Sequence, residues 1–129
     1  MSSEDNLLDA SVFIAILRDE PYDTYILDLL EGAFMSAINC AEVWTKLHEF
    51  GLTTDPRVMG LFALLAPIEP FVESQALLTG DLRPITRHLG LSLGDRACLA
   101  VAIETGATVH TGERRWAELD LPCNIRLIR

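Results

Sequence analysis

Four carboxylates stand at the starts of predicted helices in this chain: Asp9, Glu42, Asp95 and Glu113. Asp9 follows the apolar pair Leu7-Leu8 and is followed at once by Ala10-Ser11-Val12-Phe13-Ile14-Ala15, so a buried strand ends in a carboxylate and turns into an apolar helix. In open α/β sheets the crevice at the carboxyl ends of the strands is where ligands sit. Three of the four helices follow a strand, so Asp9, Glu42 and Glu113 are expected to converge there. Asp95 opens the most apolar helix, where an unpaired charge is costly. A shared divalent cation resolves that cost, and carboxylates with water suit Mg2+ or Mn2+ better than thiol or imidazole ligands do. His48, His88 and His110 are too scattered to form a ligand set.

Each acid also has an ordinary structural use. Asp9 can cap the helix it precedes. Asn39-Cys40-Ala41-Glu42 has the form of a capping box, with Lys46 at ion-pair spacing from Glu42. Ser92-Leu93-Gly94-Asp95 has the same form, and in Thr111-Gly112-Glu113 an acid lies where the helix dipole favours it. Singly, these readings suffice; the convergence of all four on one sheet edge is what points to a site.

The elements that must position the acids alternate strand and helix, the pattern of a parallel α/β sheet. Strands are predicted at Asn6–Asp9, Phe34–Ala37, Ile68–Phe71, Thr108–Thr111 and Asn124–Ile128. Helices are predicted at Ser11–Arg18, Tyr22–Glu31, Cys40–Phe50, Pro56–Leu65, Phe71–Leu78, Leu82–Leu89, Leu93–Thr105 and Gly112–Leu119. Pro21, Gly32, Gly51, Gly90 and Gly106 punctuate them. Ala97 to Ile103 is apolar on every side, which predicts a central buried helix.

The chain has 129 residues, half of them hydrophobic, which fits one domain (1–129) with a real core. No apolar run is long enough to span a bilayer, and the start lacks the pattern of a signal peptide. Cys40, Cys98 and Cys123 leave an odd cysteine and show no paired spacing, so a reduced, cytoplasmic protein is expected. A formal net charge of −9 excludes a general basic nucleic-acid scaffold. It does not exclude an enzyme on nucleic acid, because site carboxylates subtract from the net charge and bound cations reverse the local sign.

Taken in order, the motifs resemble those of the PIN-domain ribonucleases, specifically the VapC toxins of toxin–antitoxin pairs. Leu8-Asp9-Ala10-Ser11-Val12 is similar to the opening motif, and Ser36-Ala37-Ile38-Asn39-Cys40-Ala41-Glu42-Val43 to the second. Gly80-Asp81-Leu82-Arg83 followed by Leu91-Ser92-Leu93-Gly94-Asp95-Arg96-Ala97-Cys98-Leu99-Ala100 resembles the third. Thr111-Gly112-Glu113-Arg114-Arg115-Trp116 occupies the place of the last. The resemblance covers nearly the whole chain, with one departure: Glu113 stands where Asp is usual, which moves the carboxylate outward by one methylene.

This resemblance implies a three-layer α/β/α sandwich around a mostly parallel sheet of four to five strands, and hydrolysis of RNA phosphodiesters by an Mg2+- or Mn2+-dependent endoribonuclease. Asp9, Glu42, Asp95 and Glu113 would be the catalytic metal ligands, with Ser11 and Thr111 orienting ligands or water. Arg83, Arg87, Arg96, Arg114 and Arg115 are candidate RNA contacts. The resemblance further implies a VapB-type antitoxin partner, a homodimer and a higher toxin–antitoxin assembly, with Tyr22, Tyr25 and Trp44 as candidate interface positions. Trp116 is read as a packing residue. The competing reading is a non-catalytic PIN-like module that binds RNA or protein as a regulator. A haloacid-dehalogenase phosphatase needs a second Asp two residues after the first, where Ser11 stands. A receiver domain needs an acidic pair and a downstream lysine, and Lys46 is the only lysine.

Overall fold

Successive side chains of a strand face opposite sides of a sheet, so two adjacent leucines are both buried only where both faces are covered. Leu7 and Leu8 are fully buried, and they belong to different apolar clusters. A computed structural model describes residues 1–129. Its elements run β1 (Asn6–Leu8), α1 (Ala10–Leu17), α2 (Tyr25–Leu29), α3 (Ala37–Glu49), α4 (Pro56–Leu64), α5 (Glu73–Thr86), α6 (Leu93–Thr105), β2 (Thr108–Thr111) and β3 (Asn124–Leu127).

The three strands are parallel in the order β1-β2-β3, with Leu7 opposite Val109 and Val109 opposite Ile125. Two further segments extend the sheet on the other side of β1 through single parallel bridges, Leu7 to Phe34 and Ser36 to Glu69. The predicted strands at 34–37 and 68–71 are therefore present as bridged segments rather than full strands. Both fall in a sheet of the expected parallel sense. The chain steps outward from β1 to Phe34 and Glu69, then returns to lay β2 on the opposite flank. The order reverses between β1 and β2, which makes their carboxyl ends the switch point of the sheet.

On one face Phe13, Ile26, Val43, Leu47 and Val58 of α1 to α4 pack with Leu8 of β1 and Met35; on the other lie Leu7, Phe34, Leu82, Cys98, Leu99 and Trp116. This is the three-layer α/β/α arrangement that the sequence resemblance implies. As predicted, α6 is buried along Ala97 to Ala102, and Trp116 is fully buried. Burial and the fields of nearby carboxylates push the Cys98 thiol well up, and all three cysteines are free.

Several boundaries differ from the sequence reading. The predicted helices Phe71–Leu78 and Leu82–Leu89 are one helix, α5, continuing through Gly80 and Pro84 and then tightening into a 3-10 turn at Arg87–Leu89. Packing of α5 along α6 buries Gln75, Thr79, Leu82 and Thr86, which offsets the roughly 1 kcal/mol cost of an interior glycine. Gly80 also sits four residues before Pro84, at the carbonyl that the proline ring crowds. The predicted Tyr22–Glu31 helix shortens to α2, and Gly112–Leu119 forms only a 3-10 turn at Arg114–Glu118. Most relevant to function, α3 begins at Ala37 rather than Cys40. Its cap is Ser36, whose hydroxyl accepts from the Ile38 N–H at 3.1 Å, so Asn39 and Glu42 do not form the predicted capping box. No helix is long and apolar enough to cross a membrane.

Candidate active site

Asp9 is the residue after β1 and the cap of α1, with its carboxylate almost wholly buried. One oxygen accepts from the Ser11 N–H at 3.1 Å and the Ser11 hydroxyl at 2.6 Å; the other accepts from the Thr111 hydroxyl at 2.7 Å. Thr111 closes β2, so two neighbouring strand ends hold one carboxylate. The same hydroxyls organise the next turn: Ser11 accepts from the Gly112 N–H at 2.7 Å and Thr111 from the Glu113 N–H at 3.0 Å. Ser11 and Thr111 thus join Asp9 to the backbone that carries Glu113. Burial raises the Asp9 pKa from 3.8 to about 7 against the lowering effect of these hydroxyl bonds, and the charges of Asp95 and Glu113 raise it further.

Glu42 reaches the site from α3. Asn39, buried one turn earlier, donates from its amide to Glu42 Oε1 at 2.8 Å and to the Gly94 carbonyl at 3.1 Å, tying α3 to the start of α6. Gly94 makes the room. A Cβ at that position would overlap the Glu42 carboxylate. Burial raises the Glu42 pKa; the Asn39 bond opposes it, Asp95 adds to the rise, and Lys46 lowers it slightly. Asp95 forms the predicted capping box with Ser92, accepting from the Ser92 N–H at 3.0 Å while its own N–H donates to the Ser92 hydroxyl at 3.1 Å. The box occupies only Oδ2 of Asp95. Glu113 is partly exposed and lies 3.6 Å from the Arg115 guanidinium.

All four acids line one crevice of about 350 Å3 at the switch point, together with Ser11, Arg18, Glu20, Lys46, Phe50, Ser92 and Arg129. Asp95 is the centre of the set electrostatically, since its charge acts on both Asp9 and Glu42. No three His, Cys, Asp or Glu side chains approach closely enough to hold an ion jointly. Each carboxylate is instead held by its own donors. The donor chemistry still fits a hydrated Mg2+ or Mn2+, because Mg2+ is bound through one or two carboxylates and keeps several waters. The oxygens of Glu42 and Asp95 that accept no hydrogen bond provide such ligands.

The candidate cations are distributed differently. Arg83, Arg87 and Arg114 are exposed and line no part of the crevice. Arg96 donates to the Thr79 carbonyl at 2.9 Å, and Arg115 to the Leu89 carbonyl at 2.6 Å. Arg18, Lys46 and Arg129 are the cations on the crevice, and sequence reasoning singled out only Lys46, as an ion-pair partner. Asn39 was legible as a polar residue three before Glu42, but was read as a cap.

Comparison with known proteins gives a consistent fold. A family model for the PIN domain matches residues 7–121. DNA-bound VapBC from Salmonella typhimurium superposes with a TM-score of 0.72 at 19% identity, covering 98% of each chain. FitAcB from Neisseria gonorrhoeae gives 0.60 at 26% identity over 84% of this chain and 87% of its own. VapBC-5 from Mycobacterium tuberculosis, a member of the VapBC family of toxin–antitoxin systems, gives 0.58 at 24% identity over 97% and 98%. No curated protein matches the sequence.

Proposed function

The chain belongs to the PIN-domain family, and from that premise we propose that it is an Mg2+- or Mn2+-dependent endoribonuclease acting as the VapC-type toxin of a toxin–antitoxin pair. The observation that carries this reading is the convergence of Asp9, Glu42, Asp95 and Glu113 on one crevice at the β1–β2 switch point. Such ions, when bound, lower the pKa of water and stabilise developing phosphoryl charge. Asp9, Glu42 and Asp95 would hold them, with Glu113 reaching from the next turn. Ser11 and Thr111 keep the Asp9 oxygens in fixed directions, and Asn39 keeps Glu42 from swinging into solvent. Fixed ligands need no reorganisation as charge develops on the phosphate. Burial around Asp9 excludes bulk water from its carboxylate, which strengthens the interactions that this one group makes.

The toxin reading adds an antitoxin. The VapBC structures support it, as does a shallow groove beside the crevice lined by Ile38, Ala41, Thr45 and Leu93, which shares Glu42 with it. An antitoxin segment with an arginine among the acids would pair bidentately with them. A homodimer belongs to the same proposal, with Trp44, 42% exposed, as one contact.

The test is cleavage of total cellular RNA by purified protein freed of antitoxin, with Mg2+, with Mn2+ and with chelator, beside Asp95→Asn. Metal-dependent products from the wild type alone are the expected result. A folded, metal-supplied protein that leaves RNA intact would favour the second reading, a binding-only PIN module. That alternative draws on Glu113, which has the longer side chain and is drawn toward Arg115.

A further inference from the structure

The acids account for only part of the crevice; we infer that Arg18, Lys46, Arg129 and Phe50 form a seat on its rim for the backbone and one base of single-stranded RNA. This rests on the nuclease reading and names how that site holds its substrate. Of the ten lysines and arginines in the chain, these three cations alone line the crevice. They come from the end of α1, the last turn of α3 and the segment after β3, so only the folded chain assembles them.

Two of the three are pre-oriented. Glu20 takes Arg18 on one carboxylate oxygen at 3.5 Å and Arg129 on the other at 3.2 Å. The bracket depends on Asp19, whose φ of 55° turns the chain after α1 and lets the Glu20 N–H donate to the Ala15 carbonyl at 2.9 Å. Arg129 is fixed a second time, since its Nε donates to the Gly112 carbonyl at 3.2 Å, in the turn that carries Glu113. The guanidinium groups remain partly open, with side-chain exposures of 44% for Arg18 and 29% for Arg129. Each guanidinium carries five donors and has used few of them, which leaves forked donors for phosphate oxygens.

Charge favours the same occupant. Five carboxylates and three cations line the crevice, leaving two formal negative charges that one divalent ion cancels. Phosphate can then meet the arginines without facing a net anionic wall. Arg18 also lies over the Phe50 ring at 4.0 Å from its centroid, and Phe50 is 39% exposed. A guanidinium stacked on an open aromatic ring is a platform for an unstacked nucleobase. Arg57 is committed to Asp55, Asp19 and the Ile16 and Leu17 carbonyls, and neither it nor Arg126 lines the crevice.

The test is equilibrium binding of a fluorescent single-stranded oligoribonucleotide to the full chain in a fixed concentration of Ca2+, over a series of monovalent salt concentrations, with the probe verified intact. Arg18→Ala/Arg129→Ala is expected to reduce the slope of log affinity against log salt by about 1.4, two phosphate contacts on a single strand. Phe50→Leu is expected to weaken binding roughly tenfold with the slope unchanged. Thermal unfolding identifies any variant that fails to fold, and Arg18→Gln/Arg129→Gln then reads the slope in its place. An unchanged slope in the folded double variant overturns the seat, as does an equal or larger loss in Arg83→Ala/Arg87→Ala, or no binding by the wild type. RNA cleaved by the wild type with an unchanged slope would overturn the seat and leave the nuclease standing. A rim-dependent slope without cleavage would do the reverse.

Discussion

Asp9 and His110 are both buried, both lie where β1 meets β2, and the Asp9 N–H donates to the His110 carbonyl at 3.2 Å, yet their surroundings are built on opposite plans. Around His110 the polar groups close on one another. Nε2 meets Asn6 Oδ1 at 2.8 Å, Nδ1 meets the Tyr25 hydroxyl at 3.0 Å, and the Arg126 guanidinium covers the Tyr25 ring. The Asn6 oxygen fixes the proton on Nε2, so the neutral ring satisfies every partner. Around Asp9 the donors are two hydroxyls and one N–H, with no cation among them, and other carboxylates stand nearby. One cluster is complete with protein atoms alone; the other is a charge left open on the side facing the crevice. The difference separates polar burial that serves the fold from polar burial that serves a ligand.

That contrast is most sharply broken at Asp95. Asp95→Asn is expected to lower metal-dependent RNA cleavage about a thousandfold or more, the several kcal/mol that metal ligation supplies. Circular dichroism should show the fold kept, since Asn can still accept the Ser92 N–H. The opposite result belongs to His110. His110→Leu should cost about 3 kcal/mol in chemical denaturation by orphaning Asn6 and Tyr25, while cleavage per folded molecule is retained. Titration checks the same point. Burial lowers the His110 pKa from 6.5 to about 4, so its contribution is complete above pH 6.5 and is lost as the pH falls through 4. The leucine variant should lack that acid-side loss.

Asp9 has the reverse sign. Its raised pKa means that the metal-free protein loses stability as the pH rises from about 4 to 7, where the folded carboxyl is forced to ionise. Asp9→Asn should therefore stabilise the metal-free protein at pH 8 by roughly 2 kcal/mol, less than the full shift because some acceptor bonds weaken, and the gain should shrink toward pH 4. Added Mg2+ should raise the wild-type Tm and leave the variant unmoved. The smallest expected effect is at Asn39. Asn39→Ala should weaken Mn2+ binding about tenfold, read by calorimetry, because Glu42 loses the amide that fixes it.

The sequence exposed the parts of the site that depend on local order. Asp9 after Leu7-Leu8, the Ser92–Asp95 box and the apolar α6 were readable because strand end, cap and periodicity are local properties. The start of α3 was not, because Ser36 and Asn39 are both good caps and the bridge from Ser36 to Glu69 decides between them. Gly80 and Pro84 broke the predicted helix on paper, yet packing against α6 carries α5 through both. The rim cations were the least legible. Glu20 and Arg129 are 109 residues apart, and nothing near either one announces the other.

Gly94 has a consequence for how this chain can change over generations. Its missing side chain is the volume that the Glu42 carboxylate occupies, so the two positions share one fixed space. A lineage that acquires alanine at 94 must move the Glu42 carboxylate off its place beside Asn39, by turning the side chain or by shortening it to Asp, which keeps the charge. Among relatives that keep the carboxylate in this place, residue 94 should stay glycine wherever residue 42 is Glu, and a larger residue at 94 should be commoner beside a shorter one at 42.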